Sequence, residues 1–193
     1  MDISICVIGA GKWGTNHINT LSALGVEVGI VEKDRGKKTK LNIQFPEISC
    51  FDSLKDAIQK NFDGYIIATP PITHFDIAKR ILLINKPVLV EKPLTLSTKD
   101  GNELLSIVEN TSGKLIVGHL LLFHPAIIKM KELIVDGVLG NIQYLYSNRL
   151  NLGVVRKEEN VFWSFAPHDI ALFQYFSNSF PNEIISSGGA FIQ

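Results

Sequence analysis

The chain of 193 residues has little cysteine and no excess of either charge. Its two cysteines, Cys6 and Cys50, are too few for a disulfide framework or a structural zinc site, so we expect no metal. Nineteen basic and nineteen acidic residues give a formal net charge of zero. A nucleic-acid partner is therefore not indicated, because a basic binding face normally raises the pI of a whole domain.

The sequence also lacks a long apolar run. The longest run, from Leu115 to Phe123, is interrupted by His119 and is much shorter than the ~20 residues that a membrane helix needs. Asp2 lies where a secretory leader would be basic, and glycines break the first apolar run. We therefore expect a soluble, cytoplasmic protein with no membrane partner.

Short apolar runs alternate with longer amphipathic ones through the first two-thirds of the chain. Strands are predicted over residues 3–8, 26–32, 48–51, 64–68, 87–91 and 114–118, with helices between them. Asp34, Ser53 and either Ser97 or Thr98 are predicted to cap three of these helices. Such alternation predicts an α/β fold of the Rossmann type, in which a doubly wound parallel sheet carries helices on both faces.

The pattern changes near residues 118–124, where we expect a domain boundary. Residues 1–120 would form the doubly wound domain, and residues 121–193 the beginning of an α+β open-sheet domain. In that second part, helices are predicted over 125–136 and 170–176, and strands over 142–152 and 183–193. Because two strands alone make a marginal sheet, we expect that other chains complete it or that the chain is a truncated form.

A glycine-rich turn follows the first predicted strand and opens the first predicted helix. It reads Gly9-Ala10-Gly11-Lys12-Trp13-Gly14. In such a turn the first glycine permits a tight bend, the second lets a pyrophosphate approach the backbone, and the third allows close packing of helix on strand. The helix N-terminus then supplies N–H groups for the phosphates. Together with the strands on either side, this turn predicts dinucleotide binding.

An acidic residue, Glu32, ends the second predicted strand. A carboxylate at this position can accept hydrogen bonds from a ribose 2′-hydroxyl, and it repels a 2′-phosphate. Basic residues follow it closely, as a solvated helix face or as a 2′-phosphate site: Lys33, Arg35, Lys37, Lys38 and Lys40. We favour NAD because Glu32 is the residue best placed to discriminate between the two cofactors, and NADP stays open as the alternative.

Two proline-containing turns follow the fourth and fifth predicted strands. They are Thr69-Pro70-Pro71 and Glu91-Lys92-Pro93. In a doubly wound sheet the carboxyl ends of these strands share an edge with the glycine turn, and ligands bind at that edge. The residue before a proline is held extended, so Lys92 is expected on a stiff turn that faces the crevice. Oxidation of a secondary alcohol requires removal of the hydroxyl proton, which Lys92 can accept.

The histidines are less informative. His168-Asp169 lies just before a predicted helix, and we interpret His168 either as a structural histidine or as one that orients a substrate or shares its proton. A polar loop before it carries Arg156, Glu159 and Asn160, which can reach a substrate or simply face solvent. The remaining histidines lack metal-ligand spacing and are interpreted as structural or surface residues: His17, His74, His119 and His124.

Taken together, the motifs resemble those of the Gfo/Idh/MocA oxidoreductases over essentially the whole chain. Glu91-Lys92-Pro93 is the most specific of them, beside the glycine turn, Ala68-Thr69-Pro70-Pro71 and His168-Asp169. Residues 118–126 and 156–170 are most similar to the nucleotide-sugar subgroup, which includes UDP-N-acetyl-glucosaminuronate 3-dehydrogenases of the WlbA type. Two features depart from the family. Ser164 stands where many members carry an aspartate, and members are usually much longer, so much of the C-terminal domain would be missing.

The resemblance implies an alcohol–ketone reaction on a sugar with NAD(P), and a C-terminal domain that often mediates homo-oligomers. It makes Lys92 the acid/base and His168 its partner or a substrate anchor. The predicted cofactor residues are Gly9, Gly11, Lys12, Trp13, Gly14, Glu32, Thr69, Pro70, His74 and Glu91, and the predicted substrate residues are Lys92, Arg156, Asn160, His168 and Asp169.

We therefore expect an NAD-dependent oxidoreductase acting on a secondary alcohol or ketone of a sugar. The sugar is expected to be nucleotide-linked, for example a UDP-N-acetyl-hexuronate. One alternative is an NADP-dependent keto-sugar reductase. The other is a non-catalytic dinucleotide-binding partner or sensor, which would bind the cofactor without turnover.

Overall fold

The computed structural model describes residues 3–150 and 159–189 of the chain. Six strands form one parallel sheet: β1 (Ser4–Ile8), β2 (Glu27–Val31), β3 (Ser49–Phe51), β4 (Gly64–Ile67), β5 (Val88–Val90) and β6 (Leu115–Val117). Their order is β3-β2-β1-β4-β5-β6, with every neighbouring pair parallel. This order is that of the doubly wound dinucleotide-binding sheet, so the predicted Rossmann fold is confirmed.

The helices described are α1 (Lys12–Ala23), α2 (Arg35–Gln44), α3 (Leu54–Gln59), α4 (His74–Leu83), α5 (Thr98–Asn110), α6 (Pro125–Val135) and α7 (Val161–Ser177). Three of them begin at predicted caps. The side chains of Asp34, Ser53 and Ser97 each accept a hydrogen bond from a backbone N–H three residues further on. Across the described part of the chain, none of these helices is long and apolar enough to cross a membrane.

The sheet is buried on both faces, which explains why its strands are nearly continuous apolar runs. Along β1, Cys6 and Ile8 pack into one hydrophobic cluster, whereas Val7 packs into the other. Ile8 pairs with Val31 on one side and with Ile67 on the other. The turns after β1, β2 and β4 therefore leave the sheet along one edge, where the strand order reverses.

The chain divides into two compact units. The first unit consists of the chain up to Gly118 together with a later segment that ends at Ser164. The second unit consists of a segment that begins at His119 and another that begins at Phe165. The first unit contains the whole parallel sheet.

The predicted strands of the second part are wrong for the residues that the structure describes. Residues 142–150 and 183–189 carry no strand assignment. An apolar pattern makes a strand only where a neighbouring strand supplies ladder hydrogen bonds, and neither segment pairs with one in the described chain. Large side chains there are instead mostly exposed, as for Tyr144 at 84% and Ile185 at 87%.

The helix predicted over 170–176 begins much earlier, at Val161. The side chain of Asn160 accepts a hydrogen bond from the N–H of Trp163, which caps the new first turn. Pro167 lies within the helix, where its missing N–H removes one backbone hydrogen bond without ending the helix. His168 is consequently inside α7, rather than just before a helix as predicted.

Candidate active site

A cavity of about 740 Å³ opens at the carboxyl edge of the sheet, within the first unit. Its volume is in the range of small-molecule sites. All the predicted cofactor residues except Gly14 line it, and so does Lys92. The fold thus brings the turns after β1, β2, β4 and β5 together around one cavity.

The glycine turn has the geometry that a phosphate cradle requires. Gly9 has a φ of +89°, and a Cβ on it would lie 2.8 Å from the Thr69 Cγ2 atom. A Cβ on Gly14 would lie 1.8 Å from the Gly9 carbonyl oxygen, so α1 packs directly on the turn. Gly11 caps α1, and a Cβ there would meet nothing within 4 Å. The turn therefore leaves open space in front of a helix N-terminus, which fits a dinucleotide pyrophosphate.

Glu32 is 9% exposed and is held by backbone donors on two sides. Its Oε2 atom accepts the N–H of Ala10 at 3.0 Å, and its Oε1 atom accepts the N–H of Asp34 at 3.0 Å. The carboxylate is therefore fixed between the glycine turn and the turn after β2. This arrangement suits an acceptor for ribose hydroxyls.

Several basic side chains line the cavity, and one of them lies near Glu32. Lys33 and Lys37 both line it, and Lys37 Nζ lies 4.0 Å from Glu32 Oε2. Lys38 instead pairs with Asp52. Two further cations that line the cavity, Lys55 and Arg80, were not predicted. They belong to α3 and α4, and no local motif distinguishes them from ordinary surface residues.

Lys92 follows β5 directly and precedes Pro93 through a cis peptide bond. Its Nζ atom donates to the carbonyl oxygen of Ser164 at 2.8 Å. The neighbouring side chain of Glu91 accepts a hydrogen bond from His17 on α1, with 2.7 Å between Nε2 and Oε1. This contact of His17 was not predicted, because nothing in its local surroundings indicates a partner 74 residues away.

His74 is 1% exposed and lies at the start of α4. Its Nδ1 atom is 2.9 Å from the carbonyl oxygen of Pro93, and its Nε2 atom is 2.8 Å from that of Thr69. The ring also lines the cavity. Both of its polar atoms are thus engaged by the protein backbone, and its predicted contact with the cofactor stays a prediction.

The predicted substrate residues after position 150 are not all brought to this cavity. Glu159 lines it, whereas Asn160 caps α7 and Arg156 lies outside the described residues. His168 is on the part of α7 that belongs to the second unit. Its predicted role beside Lys92 stays a prediction.

Asp169 forms an ion pair within the second unit. Its carboxylate accepts hydrogen bonds from Ser147 Oγ at 2.8 Å and from Arg149 Nε at 2.5 Å. Burial alone would raise the pKa of Asp169, but the hydrogen bonds from Arg149 and Ser147 and the nearby positive charge lower it below the usual 3.8. These contacts give Asp169 a structural role, and its predicted contact with substrate stays a prediction.

We expect Arg149→Ala to lower the free energy of unfolding by about 1 kcal/mol at neutral pH, as for a partly buried ion pair. Because the folded-state pKa of Asp169 is depressed, the pair stabilises the fold above about pH 4 and loses this effect as the pH falls further. Urea unfolding of the wild type and of Arg149→Ala at pH 7 and pH 3 measures the loss of unfolding free energy and its dependence on pH. Lys99→Ala serves as an exposed control. A deficit that is equal at the two pH values would contradict the assignment.

The sequence of this chain is similar to those of known proteins. A model of the Gfo/Idh/MocA oxidoreductase family, with an NAD-binding Rossmann fold, matches residues 3–119. UDP-N-acetylglucosamine 3-dehydrogenase of Acidithiobacillus ferrooxidans is 29% identical over 146 residues, which cover 75% of this chain and 44% of that protein.

Solved structures also match this chain over most of its length. Scyllo-inositol dehydrogenase from Lactobacillus casei has a TM-score of 0.78 over 92% of this chain and 55% of its own, at 17% identity. GenD2 from gentamicin A biosynthesis, in complex with NAD, has a TM-score of 0.65 over 71% of this chain and 40% of its own, at 27% identity. The chain thus spans about half the length of the proteins that it matches.

Proposed function

The chain belongs to the Gfo/Idh/MocA oxidoreductase family, whose Rossmann fold binds NAD, and from that premise we propose that it interconverts a secondary alcohol and a ketone on a sugar. The observation that carries the proposal is that the glycine turn, Glu32 and Lys92 line one cavity. A dinucleotide site and a proton-transferring amino group then share the same space.

The residues that would hold NAD are those of the glycine turn and the end of β2. The turn offers the pyrophosphate open backbone in front of Gly11, and Glu32 offers the ribose a fixed carboxylate. When bound, NAD supplies the hydride acceptor for oxidation or, reduced, the hydride donor for the reverse direction.

Lys92 supplies the proton transfer. In oxidation its amino group takes the proton of the substrate hydroxyl, and in reduction its ammonium group returns a proton to the ketone oxygen. The carbonyl oxygen of Ser164, 2.8 Å from Nζ, holds the amino group at the wall of the cavity. A positioned acid/base of this kind typically contributes about 10²–10⁴-fold to the rate.

The substrate class that we favour is a nucleotide-linked sugar. The name of the Acidithiobacillus relative, a UDP-N-acetylglucosamine 3-dehydrogenase, supports this choice. So do the segments 118–126 and 156–170, which are similar to the nucleotide-sugar subgroup. A cyclitol is the competing substrate, since an inositol dehydrogenase shares the fold. Homo-oligomerisation and a cytoplasmic location stay predictions.

A panel assay tests the proposal. The full chain is incubated with NAD and, separately, with UDP-linked sugars, the corresponding free sugars and free inositols, and the absorbance of the reduced cofactor is followed. We expect turnover with a UDP-linked sugar and none with its free form. Turnover with inositols alone would overturn the nucleotide-sugar class. Tight NAD binding with no turnover on any substrate would favour a non-catalytic dinucleotide-binding protein.

A further inference from the structure

We propose that His17 and His74 are positioning residues that hold the Glu91-Lys92-Pro93 turn from two sides and so fix the amino group of Lys92. The consequence for catalysis rests on the function proposed above. The contacts themselves do not, because they lie entirely within the chain.

His17 holds the residue before Lys92. It lies on α1, three residues after Gly14, so the helix that begins at the glycine turn also carries the donor to Glu91. The Glu91 side chain is only 10% exposed, and its Oε1 atom is 2.7 Å from His17 Nε2. A Cβ on Gly118 would lie 3.2 Å from Glu91 Oε2, so the carboxylate fits because position 118 has no side chain.

His74 holds the residue after Lys92. Its ring reaches the carbonyl oxygen of Pro93 at 2.9 Å and that of Thr69 at 2.8 Å, and thereby joins the turns after β5 and β4. Carbonyl oxygens can only accept hydrogen bonds, so the ring must donate to at least one of them. Methionine offers no donor, and glutamine offers donors at one end only.

Lys92 therefore lies between two anchored neighbours. A lysine side chain has many rotamers, and its amino group is well placed only if the backbone beneath it is fixed. At the cavity wall, Nζ also donates to the Ser164 carbonyl oxygen at 2.8 Å. Loosening either neighbour would let the amino group leave that position.

The test measures the chemical accessibility of Lys92 directly, without any substrate. The wild-type chain and the variants His17→Leu and His74→Met are reductively methylated, and the rate at Lys92 is followed by peptide mass spectrometry. We expect this rate to rise about tenfold in each variant, as for loss of one hydrogen-bonded constraint. His17→Gln, which keeps a donor, should stay close to wild type, and so should His124→Gln, which replaces an exposed histidine.

Hydrogen exchange separates positioning from general destabilisation. The Glu91 N–H bonds to the Ile67 carbonyl oxygen, and the Gly118 N–H bonds to that of Val90, so both report on the sheet at this edge. We expect both to stay protected. Unchanged methylation of Lys92, or faster methylation accompanied by loss of this protection, would overturn the proposal. If His74→Met does not fold, the methylation rate and the hydrogen-exchange protection are measured on His74→Gln instead.

A double variant and the kinetics complete the design. If His17 acts through Glu91, the variant carrying both His17→Leu and Glu91→Leu should methylate no faster than either single variant. With an active substrate, kcat should fall about 10–100-fold in His17→Leu while KM changes little, as expected for a misplaced catalytic group. Absence of turnover in the wild type would count against the proposed function, whereas the methylation result would still decide the positioning.

Discussion

Replacing Lys92 by methionine should lower turnover by about 10²–10⁴-fold while leaving the affinity for NAD nearly unchanged. Methionine keeps much of the length and apolar volume of lysine but has no group that can take a proton. The glycine turn and Glu32, which would hold the cofactor, do not depend on the amino group of Lys92. Steady-state kinetics and titration of NAD binding by calorimetry measure the two quantities separately.

Lys92→Arg sharpens this test. An arginine keeps the positive charge but stays protonated at any ordinary pH, so it cannot act as a base. We expect it to be nearly as inactive as Lys92→Met in the oxidation direction. Lys99→Met, at an exposed position on α5, is the matched control and should retain full activity. Full turnover in Lys92→Met would show that another group moves the proton.

Replacing Glu32 by alanine should weaken NAD binding by about 10–100-fold, because hydrogen bonds to a charged group contribute about 1.5–3 kcal/mol each. The same change removes the carboxylate that repels a 2′-phosphate and leaves Lys33 and Lys37 in the cavity wall. The preference for NAD over NADP should therefore shrink or reverse. Competitive binding of the two cofactors to the same preparation gives the ratio.

A second variant, Glu32→Gln, controls for the structural role of the Glu32 carboxylate. Because its carboxylate also accepts the N–H groups of Ala10 and Asp34, alanine leaves two backbone donors without their side-chain partner. Glu32→Gln keeps an oxygen acceptor and removes only the charge, so it should retain more stability while still relaxing the choice of cofactor. Glu27→Gln, at an exposed position in β2, should change neither. An unaltered NADP-to-NAD ratio in Glu32→Ala would refute the role of Glu32 in selection.

Local sequence signals were sufficient to predict the strands of the first unit. All six strands agree with their predicted bounds to within one residue, for instance Glu27–Val31 against the predicted 26–32. This accuracy has a local cause. Buried parallel strands are continuous apolar runs, and glycine, proline or a capping side chain marks where each one stops. The capping residues Asp34, Ser53 and Ser97 act within three residues of their own position.

Local signals failed in the second part. The segments 142–152 and 183–193 have the alternation of strands, yet the described residues among them pair with no neighbouring strand. A strand needs hydrogen-bond partners elsewhere in the structure, whereas a helix makes its backbone hydrogen bonds within its own segment. The start of α7 was also missed: the helix was predicted over 170–176, whereas the cap at Asn160 starts it at Val161.

The sequence alone determined the positions of the chemically informative residues, namely the glycine turn, Glu32 and Lys92. It could do so because each one belongs to a short motif at a strand end. Only the tertiary structure decided which groups hold them: Glu32 bonds to Ala10, His17 to Glu91, and His74 to Pro93. These partners lie 22, 74 and 19 residues apart in the chain. Hydrogen bonds over such separations form only after packing of helices on the sheet has brought their atoms within reach.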